Sequence, residues 1–567
     1  CGITGYGKTN TIKRILENIQ KPFMVIEPAK KEYRSIKGVE VYTFGRPEIN
    51  CLKINPFYIM PGISPQQHID LLKDLFCASF ALYGPMPYIV EKCLYNIYAK
   101  KGWNLTLGFH PCLTGANQAM DLFNEDAINQ KYSMISHCFY FPTMQDLKDE
   151  VDYYIDHEMT YEGEVKGNIK SAIKARIDSL CVGAKGYMFN TYETTKFDDL
   201  FNKNVVFELE GLADDADKAF ALGLLIIYVN EYRQVRKEIT QNHKKGLQHI
   251  LVIEEAHRLL KNVSTERNNE DIGNPKGKAV EHFTNMLAEM RSYGQGVIIA
   301  EQIPSKLAPD VIKNSSNKIV HRLVALDDQE IVASTIGVNT REAIYLGNLK
   351  TGYALCHKEG MIQPVITKVR EITKKTVTDD NLYQKNVDNK LLEINKSIIS
   401  NELSQEIESW AVKTLISIML QHDYRRIYDG LVIATDNIKR KANLKAIAMI
   451  PGVDKNKCIL ECIANNICVM LVSGVFSSNQ MPSNEMITCI NKTIKVPDDK
   501  KLEKLNNMLK TFYKRNPNSK AIDIVAGLAS KEYAEGADIT NFVNDFMLIN
   551  DEKFVSDVKN KLSRTEA

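Results

Sequence analysis

The sequence carries no excess of charge of one sign. Its 72 lysines and arginines face 70 aspartates and glutamates, so no chain-wide field announces a nucleic acid or a membrane surface. Any basic binding face has to be local. Long apolar runs are missing too: the longest, "AFALGLLIIYV" from Ala219, has 11 residues, against the ~20 that a membrane-spanning helix needs. The 12 cysteines include no C-x-x-C couple, as a reducing cytoplasm permits, and a cytoplasmic location is expected. No internal repeat is visible. A chain of 567 residues has length for two to four domains and a large core.

What is present begins at once, without an initiating methionine. Gly2-Ile3-Thr4-Gly5-Tyr6-Gly7-Lys8-Thr9 fits G-x-x-x-x-G-K-[ST], with Asn10 following. Glycines let the backbone turn tightly enough for several N–H groups to converge on one phosphate. The lysine then reaches the β- and γ-phosphates, and the threonine hydroxyl takes a Mg²⁺ position. Such a loop ordinarily follows a buried strand and opens a helix. The helix is legible in "NTIKRILENIQ", apolar at Ile12, Ile15, Leu16 and Ile19. The strand is not, and the expectation is that it lies before Cys1, in a chain that starts part-way through its protein.

Downstream, short apolar runs alternate with helical patterns. "FMVI", "VEVYTF", "NVVFELEGL", "HILVIEEAH", "QGVIIAEQ", "NKIVHRLVA" and "GYALCHKEGMIQPVITKV" read as strands. The expected fold is α/β, with a mostly parallel sheet covered on both faces. Residues 1–65 and 196–372 make up the two parts of that core. Residues 66–195, with patterns such as "QQHIDLLKDLFCASFALYG" and "GNIKSAIKARIDSLCVG", read as a helical insertion interrupted by loops around 109–117 and 139–144. Residues 373–390 are polar, a linker. Residues 391–567 read as a mainly α-helical region rich in lysine and asparagine.

A second motif gives the first its meaning. "ILVIEEAH" is a buried strand ending in two carboxylates, as a nucleotide triphosphatase requires opposite its phosphate loop. Glu254 is the candidate metal-side residue and Glu255 the candidate base for an attacking water. Gln302, closing the strand over 297–300, is placed to sense the γ-phosphate. Arg322 and Arg291 are candidates to stabilise transition-state charge, most usefully from a neighbouring subunit. His257 either positions Glu255 or packs.

The order of "GITGYGKTN", "VIEPAKKEYR", "INPF", "LVIEEAHRLL", "RSYGQGVIIAEQIPSKL" and "NKIVHRL" resembles the HerA-like branch of the HerA/FtsK class of DNA-pumping ATPases, over about residues 1–371. The resemblance implies a RecA-like P-loop core, ATP and Mg²⁺ as cofactors, and catalytic roles for Glu255, Gln302 and Arg322, the last as an arginine finger. It further implies duplex DNA as partner, a hexameric ring, a nuclease or secretion partner, and an N-terminal β-barrel lying before Cys1. "EPAKKEY" departs from the family's D-P-x-G-E-Y by one extra residue, with Glu27 for Asp and Lys31 for Gly. Two other functions stay open: a conjugation- or secretion-type ATPase that moves protein, and a nucleotide-gated scaffold in a defence or repair complex.

The C-terminal region offers weaker features. "LKAIAMIPGVDKNKCILECI" is similar to a helix-hairpin-helix, but Asp454 stands where a second glycine would contact phosphate, and a plain helical hairpin is expected. Cys458, Cys462, Cys468 and Cys489 lack zinc-ligand spacing and are expected in the core. Lys439, Arg440, Lys441 and Lys445 are expected on a solvated face.

Overall fold

The structure, a computed structural model, describes residues 1–101, 103–108, 141–159, 163–191, 194–239, 246–263, 274–372 and 552–562. The expected linker and most of the C-terminal region, including the Gly452–Asp454 turn, its cysteines and its basic cluster, lie outside the described residues, as do the loop around 109–117 and part of that around 139–144.

The apolar runs form the strands. After helix α1 (Lys8–Ile19) come β1 (Phe23–Glu27) and β2 (Glu40–Thr43). Five labelled helices follow: α2 (Pro65–Ser79), α3 (Met86–Lys100), α4 (Met144–His157), α5 (Gly163–Cys181) and α6 (Gly183–Phe189). The core then resumes with β3 (Val205–Glu208), α7 (Asp215–Ile239), β4 (His249–Glu254), α8 (Pro275–Glu289) and β5 (Gln295–Ala300). The strand order is β2-β3-β1-β4-β5, with every neighbour parallel. Every residue of β1, β3 and β4 is buried, as in central parallel strands with helices on both faces. The α/β fold expected from the sequence is therefore the observed one.

On one face, Ile12 and Leu16 of α1 pack on Phe23, Val25, Val41, Val206 and Val252, which accounts for the helical stripe in the sequence. Helix α2 packs on α7 and α8. Its approach is close enough that a Cβ at Gly223 of α7 would lie 2.4 Å from Leu75 Cδ1. The "INPF" stretch is a junction for the insertion. Asn55 Oδ1 accepts from Phe57 N (2.9 Å), Asn55 Nδ2 donates to Pro142 O (2.9 Å), and Tyr228 Oη donates to Asn55 O (2.6 Å).

One expectation changes. β6 (Asn317–Val320), β7 (Tyr353–Lys358) and β8 (Val365–Lys368) form their own antiparallel three-stranded sheet in that order. A short turn joins β7 to β8, and antiparallel neighbours need no crossover helix. Sheet, helices α1–α8 and β6–β8 belong to one compact unit, Cys1–Lys100 with Pro142–Lys385. Trp103 and Phe141, with ring centroids 5.5 Å apart, and helix α9 (Glu552–Leu562) belong to a second.

Candidate functional site

The glycine-rich loop is threaded between β5 and β6. Cys1 N donates to Ile319 O (2.8 Å) and His321 N to Cys1 O (2.9 Å), while Gly2 N turns the other way to Glu301 O (3.0 Å). Gly2, Gly5 and Gly7 have φ of 142°, 83° and 105°. At Gly2 a Cβ would also sit 2.6 Å from His321 Cβ, so the requirement for glycine is both conformational and steric. His321 is buried and neutral, its pKa pushed down to about 4 by burial and by the positive charges nearby. Its Nδ1 donates to Tyr353 O (3.0 Å), and Nε2 lies 2.9 Å from the Thr11 hydroxyl. It is a strut beneath the loop.

The loop delivers its last glycine as the N-cap of α1, with no side-chain cap. The first-turn N–H groups of a twelve-residue helix are thus left to an external acceptor, at the positive end of its dipole. Lys8 folds back so that its ammonium donates to Gly2 O, and burial pushes its pKa down. This donor set fits a chain of phosphates.

Opposite, three glutamates stand at the C-terminal ends of adjacent strands: Glu208 on β3, Glu27 on β1 and Glu254 on β4. All are buried. One three-residue stretch gives each a donor. Glu32 N reaches Glu27 Oε1 (2.9 Å), Tyr33 Oη reaches Glu254 Oε1 (2.7 Å), and Arg34 grips Glu208 through Nε and Nη2 (2.5 and 2.6 Å). Burial raises the Glu254 carboxyl, and pushes Glu27 up to about 8, where Glu27 Oε2 has no partner. Burial also raises Glu32, but hydrogen bonds from Thr9 and Lys30 outweigh it and leave that carboxyl below its ordinary range. Thr9 is thereby linked to the stretch that holds Glu254. Among the described residues no group of three or more His, Cys, Asp or Glu side chains is gathered to hold a metal. Thr9 and Glu254 offer oxygen donors of the kind Mg²⁺ takes, alongside the waters and phosphate oxygens it keeps.

Glu255 has φ 49° and ψ 48°, a left-handed conformation that is sparsely populated by residues other than glycine and costs of order 1–3 kcal/mol. Its carboxylate meets Gln302, whose Nε2 donates to Glu255 Oε1 at 3.3 Å. Thr4 Oγ1 in turn donates to Gln302 Oε1 (2.6 Å). Three residues far apart in sequence, from loop, β4 end and β5 end, are joined in one chain of hydrogen bonds.

Other sequence candidates fall elsewhere. Asn10 binds the segment after β8, donating to Arg370 O (3.0 Å) and accepting from Ile372 N (2.8 Å). His257 binds Glu301 through its N (2.9 Å) and Nδ1 (3.0 Å) rather than Glu255. Arg322 stacks over the Tyr6 ring of its own loop (5.2 Å) and donates to Tyr6 Oη (2.6 Å). Arg291 is exposed on the turn before β5, at the opposite end of that strand from Gln302. Sequence reasoning noted the Glu27–Arg34 stretch only as a departure from a family pattern, and missed Glu208, Arg258 and Glu301.

No protein-family model matches the chain. A stretch of 184 residues is 28% identical to the DNA double-strand break repair helicase HerA of Sulfurisphaera tokodaii, covering 32% of this chain and 34% of that protein. Over that stretch the chain is similar to HerA. The chain spans about a third of the length of the curated relative it matches. Among solved structures, VirB4 of Thermoanaerobacter pseudethanolicus is 18% identical, with 66% of this chain and 88% of that one covered and a TM-score of 0.46. The bacterial conjugative coupling protein TrwB is 9% identical, with 67% and 86% covered and a TM-score of 0.41. Among the described residues, no helix is long and apolar enough to cross a membrane.

Proposed function

We propose that this chain hydrolyses ATP with Mg²⁺ and couples that hydrolysis to movement along duplex DNA, as part of a hexameric ring in the cytoplasm. The observation that carries the reading is the hydrogen-bonded line Thr4–Gln302–Glu255, which connects the phosphate loop to a carboxylate on a strained turn. Bound ATP with its cation supplies an electrophilic γ-phosphoryl group. The residues of the chain do the rest. Gly5, Gly7 and the first turn of α1 cradle the phosphates, and Lys8 offsets their charge. Thr9 and Glu254 would hold the cation. Glu255 accepts the proton of the attacking water, which Gln302 holds in line. Arg322 stabilises transition-state charge from a neighbouring subunit, once it leaves Tyr6. HerA, described as a DNA repair helicase, favours DNA over protein as the load.

The test is the steady-state ATPase rate with and without linear duplex DNA, for wild type and Glu255→Gln. A rate that rises several-fold with DNA and is lost in the variant is expected. A Glu255-dependent rate indifferent to DNA overturns the motor and leaves a protein-moving ATPase or a scaffold.

A further inference from the structure

Glu255 is gripped from behind as well as from the front. Arg258, three residues on, donates to Glu255 Oε2 through both Nη2 (2.7 Å) and Nε (3.1 Å). Its remaining arm, Nη1, is held by Asp215 at the start of α7. The Glu255 and Arg258 side chains are only 19% and 14% exposed, so solvent screens this pair less than a surface one.

A carboxylate oxygen has two lone-pair sites. Oε2 has both filled by the guanidinium. Oε1 has one filled, by Gln302, and one open. We infer that Arg258 is the positioning residue for the hydrolytic step: by saturating Oε2 and fixing the carboxylate plane, it leaves Oε1 as the basic oxygen and aims it at the Gln302 and Thr4 side. Asp215 anchors the guanidinium, so the line of contacts runs Thr4, Gln302, Glu255, Arg258, Asp215, from the phosphate loop to the N-terminus of α7. The left-handed turn at Glu255 is what allows this. Glu255 caps the short helical turn Ala256–Arg258, which sets Arg258, three residues on, against its carboxylate. The pairing is specific to arginine, because a lysine ammonium is a point charge that lacks the planar fork filling both sites on one oxygen.

This inference rests on Glu255 being the base, and the experiment separates the two. Arg258→Ala, Arg258→Lys, Asp215→Asn and Glu255→Gln are compared with wild type for kcat, for affinity toward a fluorescent ATP analogue, and for thermal melting. For Arg258→Ala, kcat is expected to fall about 10- to 100-fold, as for a misplaced catalytic group, with nucleotide affinity within roughly two-fold of wild type because only transition-state geometry is lost. Arg258→Lys recovers part of that loss, and Asp215→Asn shows a smaller one. A wild-type kcat in Arg258→Ala, or a loss of affinity that matches the loss of kcat, overturns the positioning role. Should Arg258→Ala fail to fold, Arg258→Lys decides: a reduced kcat at an unchanged melting temperature supports the role, and a wild-type kcat refutes it. Full turnover in Glu255→Gln would instead remove the base assignment itself, whatever Arg258 does.

Discussion

Replacing Glu27 by glutamine should stabilise the protein at alkaline pH and leave it unchanged in acid. The carboxyl lies at the end of β1 between two other buried glutamates, has one hydrogen bond, and holds its proton up to about pH 8 instead of its ordinary 4.5. Below 4.5 both folded and unfolded chains carry the proton and nothing is lost. As pH rises from there, the unfolded chain releases the proton while the folded one retains it, and stability drains away until pH passes 8. At ~1.36 kcal/mol per pH unit the ceiling on that loss is about 5 kcal/mol. Relaxation around the charged form and its coupling to Glu254 and Glu208 bring the expectation to about half of this. Glutamine mimics the protonated acid at every pH. Thermal melts of wild type and Glu27→Gln from pH 5 to pH 9, without nucleotide and with a chelator, should coincide at the acid end. They should then separate by a few degrees in favour of the variant. A gap that stays constant with pH, or a variant less stable at pH 9, refutes the reasoning.

Two further outcomes follow from the same geometry. Arg34→Ala strands the Glu208 carboxylate in a site where both partners are about fully buried. A loss of ~3–5 kcal/mol is expected, seen as a lower melting temperature, with much of it recovered in Arg34→Met/Glu208→Leu; a single variant that melts with the wild type would show that the pair contributes little. Gly2→Ala places a Cβ against His321 in a backbone conformation that costs ~1–3 kcal/mol, so affinity for a fluorescent ATP analogue should fall of order ten-fold. Unaltered affinity would mean that the loop is not held where His321 puts it.

How much of this could be read in advance differs by residue. β1, β3 and β4 were legible because a strand buried on both faces is an unbroken apolar run, and each ends at a charged residue where the sheet stops. The G-x-x-x-x-G-K-T pattern and the strand ending in Glu254-Glu255 stand out in the sequence because the chemistry they suggest demands fixed local spacing. Pairing direction was not legible: "NKIVH" and "GYALCHK" look like any other strand, and only their connections make β6–β8 an antiparallel sheet of their own. Arg34 and Glu208 are 174 residues apart, and nothing local marks either as the other's partner. Arg258 did leave a trace, since Glu255 and Arg258 stand three apart on a turn, yet that spacing is common on any charged helix. Asn10 and His257 sit inside motifs, but their hydrogen bonds go to Arg370, Ile372 and Glu301, partners that motif position does not reveal.

The stretch from Glu32 to Arg34 works as a ruler. Its middle strand, β1, is met by a backbone amide, and the flanking strands β4 and β3 by the two side chains that follow. From the middle strand the two side chains reach in opposite directions, Tyr33 to Glu254 on β4 and Arg34 to Glu208 on β3. Adding or removing a residue within those three would set a different side chain opposite Glu254 or Glu208. Length varies at least cost upstream, between Pro28 and Lys31, where the one extra residue relative to the D-P-x-G-E-Y pattern lies. The turn can be lengthened, but its last three residues cannot be shifted.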